Sequence, residues 1–172
     1  IALSFVNTWI GWNRARHFQS TEQAHGSPGN LLDLYGGADI PQTESFGPSH
    51  FNIPGVRTDP DVKRDRIKWP DKLMFKFASS AAHVNGRPLC SAETATWLTN
   101  HFRLALSQLK PQVDELFVSG VNHIMLISAT NTPRSVGFPG WVFYPAPDFG
   151  SYAPFYNYLP SLSTYVSRCQ HY

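Results

Sequence analysis

Cysteine is scarce: of 172 residues only Cys90 and Cys169 carry a thiol, too few to build a disulfide framework or to fix the redox compartment. Cys90 lies inside an apolar run and reads as a small buried hydrophobe. Charge of one sign is lacking too. The 14 basic and 12 acidic residues leave a formal net charge of +2, no field for nucleic acid or an anionic membrane as partner. No apolar run reaches the roughly 18 residues of a membrane helix. The opening IALSFVNTWIGW has neither a basic leader nor a cleavage pattern, so no signal peptide is expected. It also lacks an initiator Met and starts within a helical pattern, as expected of a mature product or a piece of something larger. The histidines show no HExxH spacing, no P-loop or GxGxxG follows a strand, no EF-hand loop is present, and AHGSPG has the wrong spacing for a serine nucleophile elbow. Repeats, low-complexity tracts and linkers are absent as well.

Aromatic residues, by contrast, make up 14% of the chain, beside 14 prolines and 12 glycines. With 42% hydrophobic residues, that composition predicts one domain, 1–172, with a sizeable core and long, shaped loops around a cleft. Apolar periodicity predicts a helix over 4–16 carrying Phe5, Trp9 and Trp12 against a neighbour, and a weak strand over 17–23. A short helical turn over 31–35 closes on Gly36 and Gly37, the expected left-handed stop. Asp71 is placed to cap a helix running to about Val84, with Leu73, Met74, Phe77, Ala81 and Ala82 on its buried side and Gly86 as its stop. A further helix spans 104–118 around Pro111, and NHIMLISA from Asn122 reads as the clearest buried strand. A terminal helix over 152–171 is interrupted by Pro160. Loops over 45–70, with the charged patch DPDVKRDRIK, and over 130–151 complete the chain.

The chemical signal lies in two further strands. Ala38 to Gly47, ADIPQTESFG, is a short apolar run ending on Glu44, and Arg87 to Trp97, RPLCSAETATW, ends likewise on Glu93. Strand, loop, helix, strand is the alternation that builds a parallel sheet. About four parallel strands with intervening helices predict an α/β fold, the carboxyl-terminal portion of a (β/α)8 TIM-like barrel, because eight strands need roughly 200 residues or more. A small open doubly wound sheet is the alternative. In a barrel the carboxyl ends of the strands form the functional face. Two glutamates there suit glycoside hydrolysis, in which one carboxylic acid protonates the leaving oxygen and a second carboxylate activates water or attacks carbon. The bland alternative is a pair of glutamates facing water or arginine.

His25 opens a loop at a strand end and is a candidate substrate contact, whereas His123, at the start of a strand, reads as structural. Trp97, Trp141 and Tyr144, with Phe143 and Phe149, flank the late loops and are candidates to stack on sugar faces, though aromatic residues also anchor loops. Oxygen ligands for calcium are available from Glu22, Asp39, Gln42, Glu44, Asp59 and Asp61, with no single loop joining them.

The runs QAHGSPGNLLDLYGGADIPQTESFG, KFASSAAHVNGRPLCSAETATWL and GVNHIMLISATNTPRSVGFPGWVFY, with the ending LPSLSTYVSRCQ, resemble the catalytic barrel of glycoside hydrolase family 106, the α-L-rhamnosidases. The resemblance runs over nearly the whole chain with its motifs in order. It implies an inverting hydrolase acting on terminal α-L-rhamnose of a rhamnose-containing oligosaccharide or glycoside. It further implies a calcium ion near the sugar, with Gln42 and Glu44 as candidate ligands, and a periplasmic or extracellular location. Glu44 would be a catalytic carboxylate, the general acid, and Glu93 its partner as base. Upstream barrel strands and β-rich domains are expected in the full-length protein. Two positions depart from the family's pattern: Gln42 stands where a glutamate is frequent, and Ser128-Ala129 where a His-Gly pair is expected. These departures keep open a catalytically silent carbohydrate-binding fragment and a glycosidase of other specificity.

Overall fold

The computed structural model describes residues 1–48, 51, 53–56, 71–99 and 101–170. Helices and strands alternate from the first residues: α1 (Ala2–Arg14), β1 (Thr21–Glu22), α2 (Leu31–Gly37), β2 (Ile40–Phe46), α3 (Lys72–Val84), β3 (Ser91–Thr96), α4 (Leu106–Val118), β4 (His123–Leu126) and α5 (Leu159–Cys169). The four strands form one parallel sheet in the order β1-β2-β3-β4, each neighbour reached through a helix. That is the α/β pattern of part of a (β/α) barrel. Among the described residues no helix is long and apolar enough to cross a membrane. Asp59, Asp61 and the DPDVKRDRIK patch lie outside the described residues.

Two compact units can be distinguished. The first comprises Ile1–Glu44, Asp71–Glu93 and Leu116–Ile124, and the second Ser45–Pro70, Thr94–Glu115 and Met125–Tyr172. The core of the first unit gathers Val6 and Ile10 of α1, Leu34 and Tyr35 of α2, Phe75, Ala78 and Ala82 of α3, and Leu116 and Val121. Each large side chain fully buried there is worth about 1.5–3 kcal/mol of transfer free energy. Asp71 caps α3 as the sequence predicts, its carboxylate accepting from Leu73 N at 2.9 Å, and Gly86 stops the helix at φ 64.

The face that α3 buries is the expected one in part: Ala81 and Ala82 are buried and Met74 packs against the core, but the larger anchors differ. Phe75, Ala78, Ser79, Ala81 and Ala82 are buried, while Leu73 and Phe77 remain exposed, because Phe75, Ala78 and Ala82 form the stripe at helical spacing that meets the core. The same correction applies to α1, where Val6, Ile10 and Asn13 are buried and Phe5, Trp9 and Trp12 are exposed. Gly36 and Gly37 serve close approach rather than a left-handed turn. A Cβ on Gly37 would stand 3.2 Å from Cδ1 of Ile10, and one on Gly36 3.0 Å from the Asn85 amide.

Other boundaries shift as well. β1 is only two residues long, and β4, expected to be deeply buried, is half-exposed with Met125 facing outward. Pro160 sits at the start of α5, where its missing N–H costs nothing, so it begins that helix instead of interrupting it. The strand around Glu93 runs over Ser91–Thr96, leaving 87–90 outside it.

In the second unit, Gln112 of α4 is buried and donates to Gly47 O at 2.8 Å. Two non-glycine residues in this unit, Ala95 and Trp97, adopt φ of 83 and 56, the left-handed region that costs an L-residue roughly 1–2 kcal/mol.

Candidate active site

A register one residue out would turn every side chain of β2 to the other face. The pairing Thr21↔Ile40 and Glu22↔Pro41 fixes it. Alternation then puts Ile40, Gln42 and Glu44 on one face and Pro41, Thr43 and Ser45 on the other. The second set is buried, and Thr43 Oγ1 donates to Met74 O of α3 at 3.5 Å. Paired residues of parallel strands share a face, so Thr21 and, beyond the strand, Gln23 and His25 follow the face of Gln42 and Glu44. Glu22 follows Pro41 to the opposite face, and burial raises its carboxyl above the usual range. The register therefore sets Glu22 apart from Glu44.

Both glutamates stand within their strands rather than at the ends: Phe46 ends β2 and Thr96 ends β3. Two donors converge on one oxygen of Glu44. Gln23 Nε2 donates to Oε2 at 3.2 Å, and His25 Nε2 lies 3.3 Å from the same atom, with the side chains of His25 and Glu44 18% and 19% exposed. His25 is held from behind, its backbone N–H donating to the Tyr35 hydroxyl at 3.1 Å. Its Nδ1 is buried with no hydrogen-bond partner among the described residues.

Glu93 of β3 completes the group. Its carboxyl is raised above the usual range, first by burial and then by the negative charge of Glu44, against lowering by a hydrogen bond from Gln23 and by the nearby His25. One amide thus serves both carboxyls. Gln23 is the residue that sequence reasoning missed. Its signal was the period-two polar series Thr21, Gln23, His25, legible only once the register with β2 is known.

Asp39, a candidate oxygen ligand by sequence, has another task. Arg14 donates to its Oδ1 from Nε at 3.2 Å and from Nη2 at 2.9 Å, while Ser20 donates to Oδ2 from N at 3.0 Å and from Oγ at 2.8 Å. Burial alone would raise its pKa, but the Ser20 bonds and the Arg14 guanidinium outweigh it and hold the carboxyl below its usual value. It ties α1 to the start of β2.

Among the described residues no group of three or more His, Cys, Asp or Glu side chains could hold a metal ion. Gln42 and Glu44, two apart on one face, offer too few oxygens by themselves for calcium, which takes six to eight, and no reaction step is derived through it.

Trp97, Trp141 and Tyr144 belong to the second unit. Trp97 and Tyr144 form an aromatic corner, their ring centroids 5.4 Å apart at 72°, with Phe143 against Tyr144 at 5.8 Å. Trp141 is exposed on its loop, its backbone N–H donating to Thr132 Oγ1 at 3.0 Å and its carbonyl accepting from Thr130 Oγ1. His123, read as structural, is half-buried at the start of β4, with its backbone N–H donating to Cys90 O at 3.1 Å.

Comparison with known proteins follows the same direction. The pattern of a glycoside hydrolase family, 106, described as alpha-L-rhamnosidase, matches residues 16–172. Among solved structures the chain is similar to a rhamnosidase from Novosphingobium sp. PP1Y, with a TM-score of 0.70 and 20% sequence identity, over 98% of this chain and 15% of that one. The chain therefore spans about 15% of the length of the structure it matches. No curated protein matches it.

Proposed function

The chain belongs to the α-L-rhamnosidase family of glycoside hydrolases, family 106, and from that premise we propose that it contributes two catalytic carboxyls to an enzyme that releases terminal α-L-rhamnose by hydrolysis. The observation that carries the reading is the group Gln23, His25, Glu44 and Glu93. It joins a carboxylate that receives donors to a second carboxyl whose affinity for its proton is raised.

The surroundings favour Glu93 as general acid and Glu44 as general base, the reverse of the roles that the family resemblance suggests. Glu93, whose carboxyl holds its proton more tightly than usual, gives it to the glycosidic oxygen as the bond to the anomeric carbon breaks. Glu44, ionised, takes a proton from a water molecule whose oxygen bonds to that carbon from the opposite face of the sugar. Configuration is inverted, and the acid and base have exchanged protonation states at the end of the cycle. Trp97, Trp141 and Tyr144 serve this reading as sugar-stacking surfaces, and His25 as a substrate contact beside Glu44. Calcium is a separate part of the proposal, in which Gln42 and Glu44 supply two of its oxygens. Activity that survives exhaustive chelation removes it.

The deciding experiment treats the full-length protein with an aryl α-L-rhamnoside and follows the released sugar by NMR. β-L-rhamnose as first product supports inversion, and α-L-rhamnose overturns it. Binding of rhamnose without turnover, indifferent to Glu44→Gln, would instead support a silent carbohydrate-binding domain, the reading motivated by Gln42 and Ser128-Ala129. Turnover of another aryl glycoside in preference would assign a different specificity.

A further inference from the structure

Away from the two carboxyls, where β2 and β3 begin, the first unit holds an open cleft of about 390 Å³, within the size range of sites that take small molecules. Its lining includes Arg14, His17, Gln19, Asp39 and Arg87. We propose that this cleft binds a tetrahedral oxyanion, a phosphate or sulfate group, between Arg87 and Arg14. Nothing in the proposal depends on the hydrolase reading above.

Donors outnumber acceptors here. Asp39 is the acidic side chain among the described lining residues, and its lone pairs are already used: Oδ1 accepts from Nε and Nη2 of Arg14, and Oδ2 from the N–H and the hydroxyl of Ser20. Arg87 finds that carboxylate occupied. Its Nη1 stands 3.8 Å from Oδ1, outside hydrogen-bond reach, and its Nε is buried with no hydrogen-bond partner among the described residues. A buried N–H left unpaired carries a desolvation cost that a bound acceptor removes. Two guanidiniums against one carboxylate also leave an excess of positive charge in the cleft.

The donors come from separate parts of the chain. Arg14 ends α1, His17 and Gln19 follow it, and Arg87 lies between α3 and β3. Arg14 is held in place by its bonds to Asp39 and by Nη2 donating to Gly37 O at 2.8 Å. The turn that carries Arg87 is held by its backbone N–H, which donates to Ala82 O at 2.8 Å. Such prior fixing spares the ordering cost of binding. A planar carboxylate presents two oxygens that one guanidinium fork can engage, whereas a tetrahedral anion presents oxygens to several sides and suits donors drawn from different elements. Arg87 keeps 30% and Arg14 47% of its side chain exposed, so an anion reaches both from solvent.

The test titrates the full-length protein with inorganic phosphate by calorimetry, against sodium chloride at the same ionic strength. Phosphate should bind saturably, half-saturating at about 1 mM or below, and should raise the thermal midpoint over the same range. Arg87→Gln should weaken that binding about tenfold or more. Equal binding to both proteins, or binding to neither, overturns the site. So does a rise in midpoint that chloride reproduces or that climbs without saturating in both proteins, since that is a general salt effect. Arg87→Lys, a milder change should the first variant not fold, keeps the charge and loses the planar fork, so phosphate should bind it severalfold more weakly. Unchanged affinity there overturns the proposal as well. Sulfate should displace phosphate, and acetate bound as tightly as phosphate would overturn the assignment to a tetrahedral anion.

Discussion

The side-chain amide of Gln23 donates to Glu44 Oε2 at 3.2 Å, so a residue just beyond a two-residue strand restrains the carboxylate of its neighbour. Since the same side chain also hydrogen-bonds Glu93, Gln23 bridges the two carboxyls. Replacement by Glu keeps the shape but turns a donor into a third carboxylate. Gln23→Glu should lower kcat at least tenfold more than Gln23→Ala, with similar KM, in steady-state assays on an aryl α-L-rhamnoside. A packing role alone would give the opposite order.

Removing either carboxyl should cost about 10²–10⁴ in kcat on a natural glycoside. The leaving group separates the two roles. An acid is dispensable when the departing group is already a weak base, so Glu93→Gln should recover most of its activity on a dinitrophenyl rhamnoside and Glu44→Gln should not. Recovery by Glu44→Gln instead would restore the roles that the family resemblance suggests.

Glu93 also links the site to stability. Its folded pKa lies above the ordinary carboxyl value, so the folded state binds the proton more tightly than the unfolded chain does. That contribution is full below the unfolded carboxyl value and is lost as pH rises through the folded one. At neutral pH the charged side chain is a net cost. Glu93→Gln should therefore raise the thermal midpoint at pH 7 while reducing activity, and the gain should vanish in acid.

Asp39 works in the other direction. Held below the ordinary carboxyl value by Ser20 and Arg14 in spite of burial, it contributes stability that is present above the unfolded value and lost as pH falls through the folded one. Asp39→Asn should cost on the order of 1–3 kcal/mol at pH 7, and the gap should close towards pH 3. Hydrogen exchange of the α1 and β2 amides would report it.

Local signals were the most legible part of the sequence. The Asp71 cap, the Gly86 stop and the run from Leu106 to Val118 with Pro111 inside it all depend on neighbouring residues, and the structure has each of them. The alternation of strand and helix, which needs only periodicity, was also readable. What failed was anything decided by a partner distant in sequence. Whether Trp9 or Ile10 faces the core depends on where α2 packs, and both residues are apolar. Gly36 looked like a helix stop because the approach of Asn85, forty-nine positions later, leaves no mark in the local sequence. For the site, Glu44, Glu93 and His25 could be picked by residue type and position, and the structure brings them together. Gln23 could not, since an amide beside a weak strand is unremarkable until the register with Ile40 is known.

The turn from Ala95 to Trp97 shows how the chain makes its aromatic corner. With φ of 83 and 56 at those two positions, the backbone itself swivels, and the indole meets Tyr144 edge-on without relying on its own torsions alone. A joint of this kind resists small adjustments: a glycine at 95 would relax it and a β-branched residue would jam it. The angle between the two rings is therefore written in the main chain, and changing it means re-bending a strand rather than swapping a side chain.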